Sequence, residues 1–275
     1  MSVIRLISRL TPPEKESPSL KNAIAFTCAE CTGLPPGYAD PTLRTDSIVI
    51  MPYSQGPRYD GLCKYKHINR IYLEDRPFEV LFEIAAHAIL DGYYREAVAS
   101  FTSSLERFYE FAIRCFVKRH GIEPDVFSKS WNTVVKQSER QLGAFFYLWL
   151  SHFGTIPALL PTDKTTFRNK VIHQGLIPSR EEAVSYGQVV LLLIRDQFGR
   201  LLEDYGNETL EIEQEDYDKV CEPFEEVYKI DGGSILHSAN VGDMRPFDQH
   251  LEQLEKYIAY VQQHVDGGHA KRPTE

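Results

Sequence analysis

The chain has 275 residues, 43% of them hydrophobic and 25% charged, which is enough apolar material for one large or two modest cores and excludes wholesale disorder. The longest apolar run, VVLLLI at 189–194, falls far short of the roughly 20 residues that cross a bilayer, so no membrane insertion is expected. A net charge of −9 excludes a protein that coats nucleic acid by bulk electrostatics, because such binding is driven by counterion release at many Lys and Arg contacts. Any RNA or DNA contact has to be local.

The start, MSVIRLISRLTPPEKE, is amphipathic but lacks the continuous apolar core and small-residue cleavage site of a secretory signal, so it reads as mature protein. The five cysteines are too scattered for a disulfide framework, which fits a reducing, cytoplasmic setting. Residues 1–76 hold most of the prolines and short apolar bursts such as SIVIM and INRIYL, separated by turn signals. They predict a small, irregular, partly β segment. Within it, Cys28-x-x-Cys31 and Cys63-x-x-x-His67 have the paired spacing of a tetrahedral structural zinc site, although the gap between the pairs is longer than in common fingers. Two readings stay open: a structural zinc on Cys28, Cys31, Cys63 and His67, or buried thiols in a small mixed subdomain with His67 at the surface.

From Pro77 to about residue 205 the texture is helical. PFEVLFEIAAHAIL forms a first helix, interrupted at Asp91-Gly92. A second runs through YYREAVASFTSSLERFYEFAIRCFVKRHG with Tyr94, Val98, Phe101, Leu105, Phe108, Ala112 and Cys115 on one stripe, ending at Gly121. A third, VFSKSWNTVVKQSERQLGAFFYLWLSHFG, carries Trp131, Val135, Leu142, Phe145, Trp149 and Phe153 to Gly154. PTDKTTFRNKVIHQG predicts a short helix capped by Thr162 or Asp163 and stopped by Gly175, and Ser179 with Glu182 makes a capping box that opens a longer helix to about residue 205. Residues 206–275 predict an acidic linker and a terminal helix with Phe247, Leu251, Leu254, Ile258 and Val261 in register, followed by a loose end.

The chemistry concentrates in TTFRNKVIHQG. At 100° per residue, Arg168 and His173 stand about 140° apart around the helix, whereas Asn169 and Lys170 share a face with His173. Asn169 is placed to orient the imidazole, and Arg168 reaches the same place only from the helix edge or from a neighbouring subunit. Such a set suits cleavage of an RNA phosphodiester without metal. A histidine near its reference pKa of about 6.5 takes the proton from a ribose 2′-hydroxyl or gives one to the departing 5′-oxygen, while the guanidinium holds the phosphate. The product would be a 2′,3′-cyclic phosphate. Lys164, Lys170 and Arg180 form a candidate phosphate-binding patch. The plain alternative is a histidine at a helix C-terminus and a solvated arginine.

Arg168, Asn169 and His173, with the upstream helix AILDGYYREAVASFTSSLERFYE, resemble the HEPN superfamily of all-α proteins over about residues 80–205. The resemblance implies a mainly α protein built on an up-and-down helical bundle (77–205), with the irregular or partly β segment before it and a helical extension after it. It further implies a homodimer whose two motifs meet in a shared cleft, metal-independent endoribonuclease activity with no catalytic cofactor, and a toxin or antiviral-defence setting in which an antitoxin or other protein partner is expected. Glu106, one position off the apolar stripe, is placed to pair with Arg168 across the bundle. Two rivals remain: the same bundle binding a nucleotide, RNA or protein without cutting, and a helical adaptor whose zinc-clamped N-terminal segment makes the contacts.

Overall fold

The computed structural model describes residues 22–36, 48–54, 56–222, 224, 226–237 and 240–267. The amphipathic start and the loose end beyond residue 267 lie outside the described residues. The fold is mainly helical, with a small strand-bearing N-terminal segment and a C-terminal helix. No helix among the described residues is long and apolar enough to cross a membrane.

The chain divides into two compact units. The first joins the described residues up to Asp75 with Tyr217–Gly233 and those from Glu252 onward. Strand β1 (Ala23–Thr27) pairs antiparallel with β2 (Ile48–Pro52), Ala23 facing Pro52 and Thr27 facing Ile48. Between them a single turn, α1 (Ala29–Thr32), is closed by Gly33 at φ +68°, a left-handed position that suits glycine. Strands β3 (Arg58–Leu62) and β4 (Ile68–Leu73) form an antiparallel hairpin, and β5 (Tyr228–Ile230) joins β4 in parallel. A side chain at Gly61 would stand 2.6 Å from the Met51 sulfur, so the bare residue lets β3 approach β2. Ala25, Ile48 and Ile50 pack with Tyr257, Ile258 and Val261 from the last helix.

The second unit spans Arg76–Asp216 and Ser234–Leu251. Its first helix, α2 (Pro77–Leu90), starts where proline's fixed φ is preorganised for a helix and ends at Asp91, with Gly92 at φ +80°. The longer α3 (Tyr94–Arg119) presents the apolar stripe expected of it: Val98, Phe101, Phe108, Ala112 and Cys115 are fully buried. Phe78 meets Phe108 and Phe198 edge-on at 5.5 and 5.4 Å, and Phe82 meets Phe101 and Phe247 at 4.8 and 5.5 Å. These rings, favoured in such tilted contacts, are the centre of the core.

Two sequence expectations are corrected here. The stretch from Val126 to Phe153 is not one helix but two, α4 (Pro124–Val134) and α5 (Ser138–Phe153), with Gln137 extended between them. The break is stabilised by side chains of the second helix reaching back: Gln141 Nε2 donates to the Val135 carbonyl at 2.7 Å and Arg140 to that of Thr133 at 3.2 Å. Nor is the acidic stretch after residue 205 a linker. The helix α7 runs Arg180–Cys221 with a kink at Tyr205, because its acids have cationic partners on α3: Asp216 with Arg114 at 2.9 Å, Glu215 with Lys118 at 2.6 Å and Glu208 with Arg119 at 2.8 Å. Ile212 and Thr209 are buried on the same stretch. The last helix, α8 (Phe247–Gly267), contributes Phe247 and Leu251 to the second unit and Val261 to the first.

Candidate functional site

The 12-residue helix α6 (Thr162–His173) carries the Arg-Asn-x-x-x-His pattern. Its expected cap on Thr162 or Asp163 is replaced: Pro161 is the extended residue before the first turn, and the Thr165 hydroxyl donates back to the Pro161 carbonyl at 3.1 Å. Val171, fully buried, and Phe167, 5.8 Å from the Tyr186 ring, seat the helix. At its end the Lys170 carbonyl accepts from the amides of Gln174 and Leu176 at 3.0 and 3.1 Å, with Gly175 at φ +74°. The Ser179–Glu182 box then opens α7, Ser179 N donating to Glu182 Oε2 at 2.8 Å and Glu182 N to Ser179 Oγ at 3.2 Å.

On this frame Arg168 is held twice. One terminal nitrogen donates to Asn169 Oδ1 at 2.9 Å and the other to Glu106 Oε1, on α3, at 3.2 Å. Both ends of the ion pair are partly open, Arg168 at 21% and Glu106 at 28% side-chain exposure, so solvent tempers its strength. Two of the five guanidinium donors are engaged. His173, the last residue of α6, is exposed, and no hydrogen bond joins it to Asn169 or Lys170 among the described residues. Asn169 turns its carbonyl oxygen to Arg168. Lys164 donates to Ser185 Oγ at 2.7 Å, tying α6 to α7, while Lys170 and Arg180 are exposed on α6 and at the start of α7.

The four metal-ligand candidates of the first unit come together. Cys28 directly follows β1, Cys31 lies on α1, and Cys63 and His67 bracket the β3–β4 turn; their ligand atoms all fall within 4.8 Å of one another. Cys31 Sγ lies 3.7 Å from Cys63 Sγ and 3.3 Å from His67 Nδ1, and Cys28 Sγ is 3.8 Å from the same nitrogen. A tetrahedron with zinc–sulfur bonds of about 2.3 Å and a zinc–nitrogen bond of about 2.0–2.1 Å has edges of roughly 3.5–3.8 Å. The residues fit such an ion, and the cluster could hold a metal. The far nitrogen, His67 Nε2, is 3.6 Å from Glu30 Oε2, and Asn69 donates to the His67 carbonyl at 3.1 Å. Burial and the neighbouring Cys28 and Cys63 sulfurs push the Cys31 thiol up to about 12. Burial also acts to raise Cys28, but hydrogen bonds from the Cys31 backbone, Asn69 and His67 outweigh it and bring that thiol down to about 7.

Sequence reasoning missed a third grouping. At the α7 kink the Tyr205 hydroxyl meets His152 Nδ1, and His152 Nε2 lies 3.2 Å from His120 Nε2. The His152 ring stacks on Phe116 at 4.7 Å; burial, then His120 and Arg119, lower its pKa. Its members come from three helices, so no spacing in the sequence announces it. The chain matches no family model, no curated protein and no solved structure.

Proposed function

We propose that the chain is a metal-independent endoribonuclease of the HEPN type. The observation that carries this reading is the fixing of Arg168 by Glu106 and Asn169 at the edge of α6, with the imidazole of His173 exposed at the end of the same helix. Three donors of the guanidinium remain for a scissile phosphate and its developing charge. His173 takes the 2′-hydroxyl proton or protonates the 5′-oxygen, a 2′,3′-cyclic phosphate and a 5′-hydroxyl end being the products. The angle between the two side chains is met by a homodimer in which Arg168 of one copy works beside His173 of the other. Lys170 and Arg180, both exposed, and Lys164 supply cationic surface for the strand. The free cysteines suit a reducing cytoplasm, where a toxin or antiviral effector of this type would act on RNA.

Cleavage of mixed RNA with magnesium omitted is the test. His173→Ala and Arg168→Ala should each slow cutting by about 10²–10⁴-fold. Equal cutting by all three proteins, or none by any, sinks the reading. The Glu106 tie, which partly neutralises Arg168, favours a second reading in which the bundle binds a nucleotide, RNA or a protein partner without cutting; then Arg168→Ala loses affinity and no cyclic phosphate forms.

For the first unit we infer a structural zinc ion on Cys28, Cys31, Cys63 and His67, supported by the tetrahedral edges and by a donor set that is soft and leaves no open position. Metal analysis of the purified chain should find about one equivalent. A content far below that removes the zinc.

A further inference from the structure

We propose that the Nε2 atoms of His120 and His152 together bind a divalent ion of the nickel, copper or zinc class at the surface of the second unit, with Tyr205 as the positioning residue for the His152 ring. The inference stands apart from the cleavage reading and from the cysteine cluster.

Three helices of one unit build the pair. His120 closes α3, its amide donating to the Val117 carbonyl at 3.2 Å, and His152 lies in the last turn of α5, before Gly154 at φ +66°. Two helix C-termini, each the negative end of a dipole, thus meet where the rings meet, and both favour a cation. The His152 ring lies flat on the fully buried Phe116, centroids 4.7 Å apart and planes 10° from parallel, and meets Tyr205 edge-on at 5.5 Å. Its orientation is set before any ligand arrives. When His152 Nδ1–H donates to the Tyr205 oxygen, Nε2 carries a lone pair, the arrangement of a metal-ligating histidine whose outer nitrogen is held.

The distances favour two ligands over a simple hydrogen bond. The two Nε2 atoms stand 3.2 Å apart and the ring centroids 4.9 Å, and each Nε2 has only the other as its partner among the described residues. A head-on N–H···N bond of that length would set the centroids roughly 5.5 Å apart. Two rings aimed at one ion, with bonds of about 2.0–2.1 Å, would bring them to roughly 5.0 Å. The observed separation is that of convergence. The nitrogen spacing also lies between roughly 2.9 Å for neighbouring square-planar ligands and roughly 3.4 Å for a tetrahedral edge. His120 is exposed and His152 half-buried, so the remaining coordination positions open to water. Arg119, beside the pair, is already neutralised: it donates to both oxygens of Glu208 and to the Asp204 carbonyl, and lies over the Tyr205 ring at 3.6 Å. Imidazole ligands suit nickel, copper and zinc, whereas magnesium and calcium seek oxygen.

The test is a calorimetric titration of Ni2+ into the untagged full chain, exposed to zinc beforehand to fill the cysteine cluster and freed of excess by gel filtration. One Ni2+ should bind per chain. His120→Gln, a change at an exposed ring, and His152→Gln should each weaken it by more than about 100-fold, and Tyr205→Phe, which keeps the ring and deletes the hydroxyl, by about 10- to 100-fold with Tm recorded alongside. His173→Ala, at an exposed histidine outside the pair, should change nothing. Cu2+ should bind the same pair more tightly than Ni2+ and show two nitrogens in its electron paramagnetic resonance. No uptake, uptake indifferent to His120→Gln, or a thiolate-to-metal charge-transfer band marking cysteine ligands overturns the inference. So does a loss confined to His152→Gln, because disturbed stacking on Phe116 would produce it with no bond to His120. Unchanged affinity in Tyr205→Phe overturns the positioning role of that hydroxyl.

Discussion

In the first unit three sulfurs and a ring nitrogen, drawn from a strand end, one helical turn and a hairpin, lie within 4.8 Å of one another in a single chain. In the second, Arg168 and His173 ride one helix only five residues apart, yet helical geometry turns them about 140° from each other. Proximity in sequence and convergence in space are thus reversed between the two. Turns and strand ends of two small sheets can aim side chains from distant positions at one point, whereas a straight helix aligns residues three, four or seven apart but not five. The energetics differ as well. Burial and the neighbouring sulfurs push the Cys31 thiol up to about 12, while hydrogen bonds bring Cys28 down to about 7, so packing splits the thiols apart. Arg168 already has Glu106 and Asn169, so it is held in place without a ligand.

The largest effect that can break this contrast is removal of the proposed zinc. Binding free energies of about 10–16 kcal/mol for structural zinc count directly as folding free energy. Chelation, or Cys63→Ser, should therefore abolish amide-exchange protection in β1 to β4 while α2 and α3 stay protected. Survival of protection in the strands would show that the cluster is merely packed thiol. Mild acid probes the other unit. His87 on α2 is pushed down to about 4 by burial, against a smaller opposing pull from Asp91. The unfolded chain takes up this proton below about 6.5 and the folded chain only near 4, so stability falls as pH drops through that window, by about 3 kcal/mol in full. His87→Gln should flatten the pH dependence of exchange at the α2 and α3 amides; an unchanged slope would remove His87 as its source.

The helices that depend on local signals were legible in the sequence. Pro77 and Asp91-Gly92 bound α2, the apolar stripe to Gly121 sets α3, and the Ser179–Glu182 box opens α7. What escaped depends on partners far along the chain. The interruption between α4 and α5 is capped by Gln141 and Arg140 rather than by glycine, so the apolar period runs across it unbroken. The acids after residue 205 look like a solvated linker until Arg114, Lys118 and Arg119, roughly ninety to a hundred residues earlier, are seen beside them. At the candidate sites the sequence named the four residues that converge in the first unit and the Glu106–Arg168 pair, because residue type and helical phase suffice for those. The contact of the Asn169 carbonyl oxygen with Arg168, its neighbour in the chain, was not legible, since helical phase sets Asn169 nearer His173.

Smaller changes sharpen the reading of α6. Glu106→Gln keeps an oxygen facing Arg168 but removes its charge; if orientation of the guanidinium matters for cleavage, the rate should fall by about tenfold, or about 1.4 kcal/mol of transition-state binding. A rise in rate would mean instead that Glu106 restrains the arginine. Ser179→Ala is the mildest. It deletes the oxygen that accepts from Glu182 N but leaves Ser179 N on Glu182 Oε2, so about 1 kcal/mol of capping should go, a fall of about 2–4 °C in Tm for a unit of this size. Residues 174–179 run directly from His173 to that cap, so the loosened helix start should also cost some cleavage beyond the loss of stability. If Tm falls and the rate at a temperature well below it does not, the position of His173 is fixed by the Gly175 end of α6 and the Lys170 carbonyl alone.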